Sequence, residues 1–101
     1  MSAKKTVEAK IPPQNLDAEM SLLGAVLIDE EVLADATEFV GVRDFYDKRH
    51  GLIFGAMLRL YERHKPVDLL TVTDELKKKD EFDEVGGTAY LTELTNYVPT
   101  A

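Results

Sequence analysis

The sequence predicts an all-α fold, a compact bundle of about five short helices. Three observations predict it. Apolar residues recur at spacings of three and four in five separate segments. Asn, Asp, Gly and Pro, which favour helix starts and stops, stand at the ends of those segments. No segment alternates apolar and polar residues over a convincing length, and the short β-like stretch 67–72 fits helical spacing better. At 101 residues the chain has room for one core and not two.

Residues 1–14 read as a flexible tail. Lys4, Lys5, Glu8 and Lys10 interleave with small residues, and Pro12 and Pro13 keep a helix from crossing this point. The helical domain then covers 15–101. Asn15 is placed to cap the first helix, with Asp17 and Glu19 near the positive end of its dipole. Leu16, Met20, Leu23 and Leu27 form its stripe, which Leu22 and Val26 widen. Asp29 is placed to cap a second helix running to about 40. Val32, Leu33, Ala36, Phe39 and Val40 form its apolar face, and Gly41 stands where a left-handed cap belongs.

The third helix spans about 47–64. Ile53, Phe54, Met57, Leu58 and Tyr61 line one side, Arg59, Glu62 and Arg63 lie mostly on the other, and Pro66 stops it. Asp68 is placed to cap a fourth helix, about 69–79. Its core is Leu69, Val72 and Leu76, and Lys77, Lys78 and Lys79 sit at its negative end. Residues 80–84 read as a solvated acidic turn, and Gly86-Gly87 breaks the chain. A fifth helix, about 88–97, carries Tyr90 or Leu91, Leu94, and Tyr97 or Val98 in register, and Pro99 ends it.

Composition excludes several classes of function. Twelve Lys and Arg against nineteen Asp and Glu leave a net charge of -7, the wrong sign for a chain that neutralises phosphates. With no cysteine there is no disulfide framework, thiol catalysis or thiolate metal site, which suits a reducing cytoplasm. No apolar run is long enough to span a membrane, and Lys4-Lys5 lacks the apolar stretch of a secretory signal.

Catalytic, cofactor and metal motifs are missing from the sequence. There is no phosphate-cradling P-loop, no Gly-x-Gly-x-x-Gly, no Gly-x-Ser-x-Gly and no His-Glu-x-x-His. His50 and His64 lie about four helical turns apart, ~21 Å along a straight helix, too far to share a metal. His50 reads as a structural histidine near a helix start, and His64 as a helix-end cation. Asp80, Glu81, Asp83 and Glu84 lack the ligand order of a calcium loop. Gly51 and Gly55, four apart, form a smooth strip for close internal packing, with a subunit contact as the alternative. Phe45 and Tyr46 read as a clamp over the helix junction, with an exposed hot spot as the alternative. Tyr90 is open between core packing and a partner-facing anchor.

The motifs in order resemble a known family. The run Ile11-Pro-Pro-Gln-Asn-Leu-Asp-Ala-Glu-Met-Ser-Leu-Leu-Gly-Ala-Val-Leu-Ile-Asp29 resembles the opening of the amino-terminal domain of DnaB-type replicative DNA helicases. Asp44-Phe45-Tyr46 with His50 and Ile53-Phe54 is similar to that family's next block. Pro66-Val67-Asp68-Leu69, Glu84-Val85-Gly86-Gly87 with Tyr90-Leu91, and Val98-Pro99-Thr100-Ala101 match the later ones. The resemblance covers about 11–101.

It implies a non-catalytic collar domain of a hexameric ring, built as a trimer of dimers, that docks primase and supports ring assembly. ATP and magnesium are then handled by a separate RecA-like motor, and DNA is met only through the parent ring. The family continues past the position of Ala101 into a helical hairpin that makes one of two dimer contacts. Weaker assembly is therefore expected of this piece alone. Tyr90, Leu94 and Tyr97, on the last helix, are the candidate partner-binding residues. The alternative function is a direct single-stranded DNA-binding accessory domain, with Lys77, Lys78 and Lys79 as its only basic cluster.

Overall fold

The computed structural model describes residues 15–98. The tail 1–14 and the Pro99 stop lie outside the described residues. Among the described residues there are five α-helices and no strand: α1 Leu16–Ile28, α2 Glu31–Ala36, α3 Lys48–Glu62, α4 Leu69–Lys78 and α5 Gly87–Thr95. A single 3-10 turn, Val42–Asp44, precedes α3.

The starts follow from side chains that satisfy orphan amides. Asn15 Oδ1 accepts from the Ala18 amide at 3.0 Å, and Asp29 Oδ1 accepts from Glu31 at 3.0 Å. Asp47 Oδ1 accepts from Arg49 at 2.9 Å. Asp68 and Thr71 exchange two bonds of 2.9 Å, a reciprocal box at the head of α4. Two helices end in left-handed residues other than glycine. His64 (φ 57) follows α3 and Asp80 (φ 62) follows α4. The next amides, Lys65 and Glu81, donate back to Leu60 and Leu76, each at 2.9 Å. His64 is thus an exposed helix-end residue, as expected.

Leu23, Val26, Leu33, Ile53, Phe54, Met57, Val72, Leu76, Leu91 and Leu94 are fully buried and form one continuous core. Among helix pairs, α1 packs most extensively against α5, and α3 against α4. The first of these contacts depends on Gly24. A Cβ there would lie 2.2 Å from the Leu94 carbonyl oxygen, so the two backbones meet with no side chain between them. Gly51 and Gly55 pack internally. A Cβ on Gly51 would lie 3.3 Å from the Val42 carbonyl oxygen, and one on Gly55 3.8 Å from a Val42 methyl.

Five expectations need correction. The second helix is shorter than 29–40. Thr37 Oγ1 bonds to the Ala34 carbonyl at 2.8 Å, and amides 38 and 39 bond three residues back, tightening the chain out of the α path. Phe39 is consequently 70% exposed rather than core. Gly41 is not a left-handed cap; it is extended at φ -123, and its amide donates to the Asp44 carboxylate at 2.8 Å. Tyr61 is exposed because Leu60, one residue earlier, takes the buried position at the end of α3. The last helix ends at Thr95, which leaves Val98 outside the core. The clamp reading holds for Phe45, buried with its ring 5.1 Å from Phe54, and not for Tyr46, which is exposed.

Candidate functional site

Tyr90, Leu94 and Tyr97 fall in three different environments. Leu94 is wholly buried, and its carbonyl meets Gly24. Its place on the inner face of α5 takes it off the surface. Tyr97 is half-buried just past α5, and its hydroxyl bonds to the Asp17 carboxylate at the head of α1. That bond holds the Tyr97 phenol above its ordinary range. Tyr90 is half-buried in the first turn of α5, and its hydroxyl belongs to a polar chain that crosses the core.

The chain begins at Glu19, on the first turn of α1 and fully buried. Its carboxylate accepts from the Tyr46 amide at 2.6 Å and the Asp47 amide at 3.3 Å. It also meets His50 Nδ1 at 2.7 Å. His50 is 1% exposed, and its Nε2 lies 2.6 Å from the Tyr90 hydroxyl. The two rings are nearly parallel, 13° apart, with centroids at 5.9 Å. Arg49 completes the surroundings. Its guanidinium carbon sits 4.1 Å from the Tyr90 centroid, and Asp47 grips it through bonds of 2.8 and 3.2 Å. The Arg49 guanidinium holds the Asp47 carboxyl below the usual carboxylate range, and burial pushes the Tyr90 phenol up. His50 is thus structural, as its position implied. Its partners, Glu19 and Tyr90, come from both ends of the sequence.

A second polar cluster joins α3 to α4. Glu75 is 2% exposed, and its two oxygens accept from Arg59 Nε and Arg63 Nη2, each at 2.7 Å. Both arginines hold the Glu75 carboxyl down at about 2. Arg59 Nη2 also faces Glu81 Oε1 at 3.5 Å, so the acidic turn is partly tied down rather than wholly solvated.

Glu19 and Glu75 are the functional-looking residues that sequence reasoning missed. A signal was available for both. Glu19 falls inside the stripe of α1, three after Leu16 and four before Leu23. Glu75 falls inside that of α4, three after Val72 and beside Leu76. A carboxylate at a core position requires donors to meet it.

Among the described residues no group of three His, Asp or Glu is placed to hold a metal ion. No helix among them is long and apolar enough to cross a membrane.

Comparison with known proteins adds three findings. The family model described as the DnaB-like helicase N terminal domain matches residues 11–101. The chain is similar to the replicative DNA helicase DnaB of Geobacillus stearothermophilus, 49% identical over 92 residues, which are 91% of this chain and 20% of that protein. The replicative DNA helicase DnaC of Bacillus subtilis (strain 168) is 48% identical with the same coverage. The chain therefore spans about a fifth of the length of these curated relatives. Among solved structures, the crystal structure of the N-terminal domain of DnaB helicase from Mycobacterium tuberculosis superposes with a TM-score of 0.83 at 40% identity. That match covers 88% of this chain and 64% of the other.

Proposed function

This chain belongs to the family of DnaB-like helicase N-terminal domains, and from that premise we propose that it is a non-catalytic docking and assembly module of a hexameric replicative DNA helicase. In this reading it forms part of the ring's collar, contacts neighbouring subunits, and receives primase during DNA replication in the cytoplasm. ATP hydrolysis with magnesium belongs to a separate motor domain, and DNA is met through the whole ring.

The observation that carries the reading is the match of the family model to residues 11–101, against relatives about five times longer named as replicative helicases. A segment that is a fifth of such a protein, folded around its own core, fits a module that is gripped by others. The acidic balance of -7 supports protein partners over phosphates.

Half-buried aromatic anchors in a polar rim suit such a contact. With Leu94 in the core, Tyr90 and Tyr97 remain as the anchors on offer.

The test is size-exclusion chromatography with light scattering on this chain, alone and with the carboxy-terminal domain of the primase from the same source. A shared peak at the summed mass supports docking, and separate peaks at micromolar concentration count against it. Tyr90→Ala should weaken the complex while the helical circular dichroism stays intact. Unchanged binding removes Tyr90 as an anchor.

A further inference from the structure

We infer that His50 and Glu19 are positioning residues for Tyr90: a buried hydrogen-bonded chain from α1 through α3 sets the tyrosine ring in the orientation a partner reads. The inference rests on the docking role of Tyr90 proposed above and adds how that anchor is held.

Every link is short and each belongs to a different element. Glu19 lies on α1, His50 on α3 and Tyr90 on α5. The donors converging on the Glu19 carboxylate are the amides of Tyr46 and Asp47 and the Nδ1 side of His50. An imidazole that gives its Nδ1 proton to a carboxylate offers Nε2 as an acceptor. The group 2.6 Å from Nε2 is the Tyr90 hydroxyl, so that hydroxyl is engaged by the imidazole whichever of the two atoms carries the shared proton.

Two consequences follow for a partner. The hydroxyl is already engaged and the Arg49 guanidinium lies over one face of the ring, so a partner meets the ring's edge and remaining face, not a free donor. The contact is thus an apolar one, suited to an aliphatic or aromatic side chain. The ring's setting is also fixed from beneath. Gly86, left-handed at φ 109, brings the chain so close that a Cβ there would lie 2.6 Å from Tyr90 Cβ. Only glycine fits at 86, and the His50 bond holds the tip of the Tyr90 side chain. A ring secured at its tip loses less freedom on binding.

A double-mutant cycle on the 101-residue chain tests this, with affinity for the primase carboxy-terminal domain as the readout. Tyr90→Phe keeps the ring and removes only the link, so it should weaken binding about three- to tenfold. His50→Phe should weaken it by a similar factor, and the double variant should be no worse than either single. Tyr90→Phe should also move the 15N resonance of His50 Nε2, and an unmoved resonance refutes the bond.

Should His50→Phe bind normally while Tyr90→Phe does not, the hydroxyl touches the partner directly and the positioning role is lost. Losses that add in the double variant refute it too, as does normal binding by Tyr90→Phe beside impaired binding by Tyr90→Ala. That last result leaves the docking role standing. Normal binding by Tyr90→Ala removes both. If His50→Phe fails to fold, Tyr90→Phe and the His50 resonance still decide.

Discussion

Replacing Glu75 by glutamine removes one charge and almost no volume, so its cost isolates the electrostatics of the α3–α4 junction. The carboxyl is drawn from 4.5 down to about 2 by hydrogen bonds from Arg59 and then Arg63, against the opposing effect of burial. A difference of that size corresponds to about 3 kcal/mol of preference for the ionised form in the folded state. That is a ceiling. The Arg63 side chain is 46% exposed and that of Arg59 30%, so water screens part of the attraction. Roughly 1.5–2.5 kcal/mol should remain.

The pH dependence follows from the direction of the shift. A carboxyl whose pKa is lower in the folded than in the unfolded chain stabilises the fold fully above the unfolded value, 4.5. That stabilisation fades as pH falls towards about 2. Urea unfolding followed by circular dichroism should therefore show Glu75→Gln less stable by that amount at pH 7. The gap should shrink by roughly a third to a half at pH 3.5. A gap that stays constant with pH would mean that shape or packing, and not charge, makes Glu75 matter. No gap at pH 7 would refute the electrostatic account altogether.

Two further predictions concern the opposite side of the core and the outer surface. Gly24→Ala should destabilise the domain by about 2–3 kcal/mol, because the new methyl meets a backbone carbonyl that cannot rotate away; an equilibrium melt with an unchanged midpoint would contradict the close approach of α1 and α5. Fluorescence anisotropy with a labelled single strand at low salt should show no binding up to tens of micromolar protein, since the chain carries a net charge of -7. Tight, salt-sensitive binding there would revive the alternative of a direct DNA-binding domain.

The all-α class was legible because local and global signals agree in this chain. Asn15, Asp29 and Asp68 are good caps by chemistry alone, and each does accept an amide in the turn that follows it. Periodicity located the cores of α1, α3 and α4 to within a residue or two. It failed between 37 and 46, where local bonds compete with the α-helix. Thr37 back-bonds to Ala34, and the Asp44 carboxylate takes the Gly41 amide. Apolar spacing cannot register such a contest, so Phe39 and Val40 looked helical. Tyr61 shows a related blind spot. Near a helix end the buried arc narrows, and spacing does not reveal which of two adjacent apolar residues keeps it.

The candidate site was legible only in part. Tyr90, left open between core and surface, is half-buried in the first turn of α5; Tyr97, expected on the last helix, lies just past its end; and His50 is buried near the start of α3. Leu94 looked equally available, because membership of a helix face does not say which neighbour covers it. The Leu94 side chain joins the continuous core while its carbonyl lies against Gly24, and one glycine within a leucine-rich stripe gives no hint that a second backbone will lie against it. The partners of His50 were out of reach for a different reason. Glu19 precedes it by 31 positions and Tyr90 follows it by 40, and pairing across such distances depends on the finished topology.

The two buried carboxylates explain how short helices hold one arrangement. Apolar stripes alone tolerate sliding and rotation, since leucine packs acceptably against many neighbours. A buried carboxylate tolerates neither, because losing a donor leaves it desolvated and unpaired. Glu19 sets α1 against the start of α3, and through His50 against α5. Glu75 sets α4 against the end of α3 through two arginines one helical turn apart. The 15-residue α3 thus carries a polar register mark near each end, and α1, α4 and α5 are aligned to it. The fold then derives its cohesion from the leucine core and its uniqueness from two glutamates. It follows that Glu75→Leu should cost less stability than Glu75→Gln if the freed arginines turn to solvent, yet broaden the NMR signals of α4 as its register loosens. Sharp, unshifted α4 signals in Glu75→Leu would show that packing alone fixes the junction.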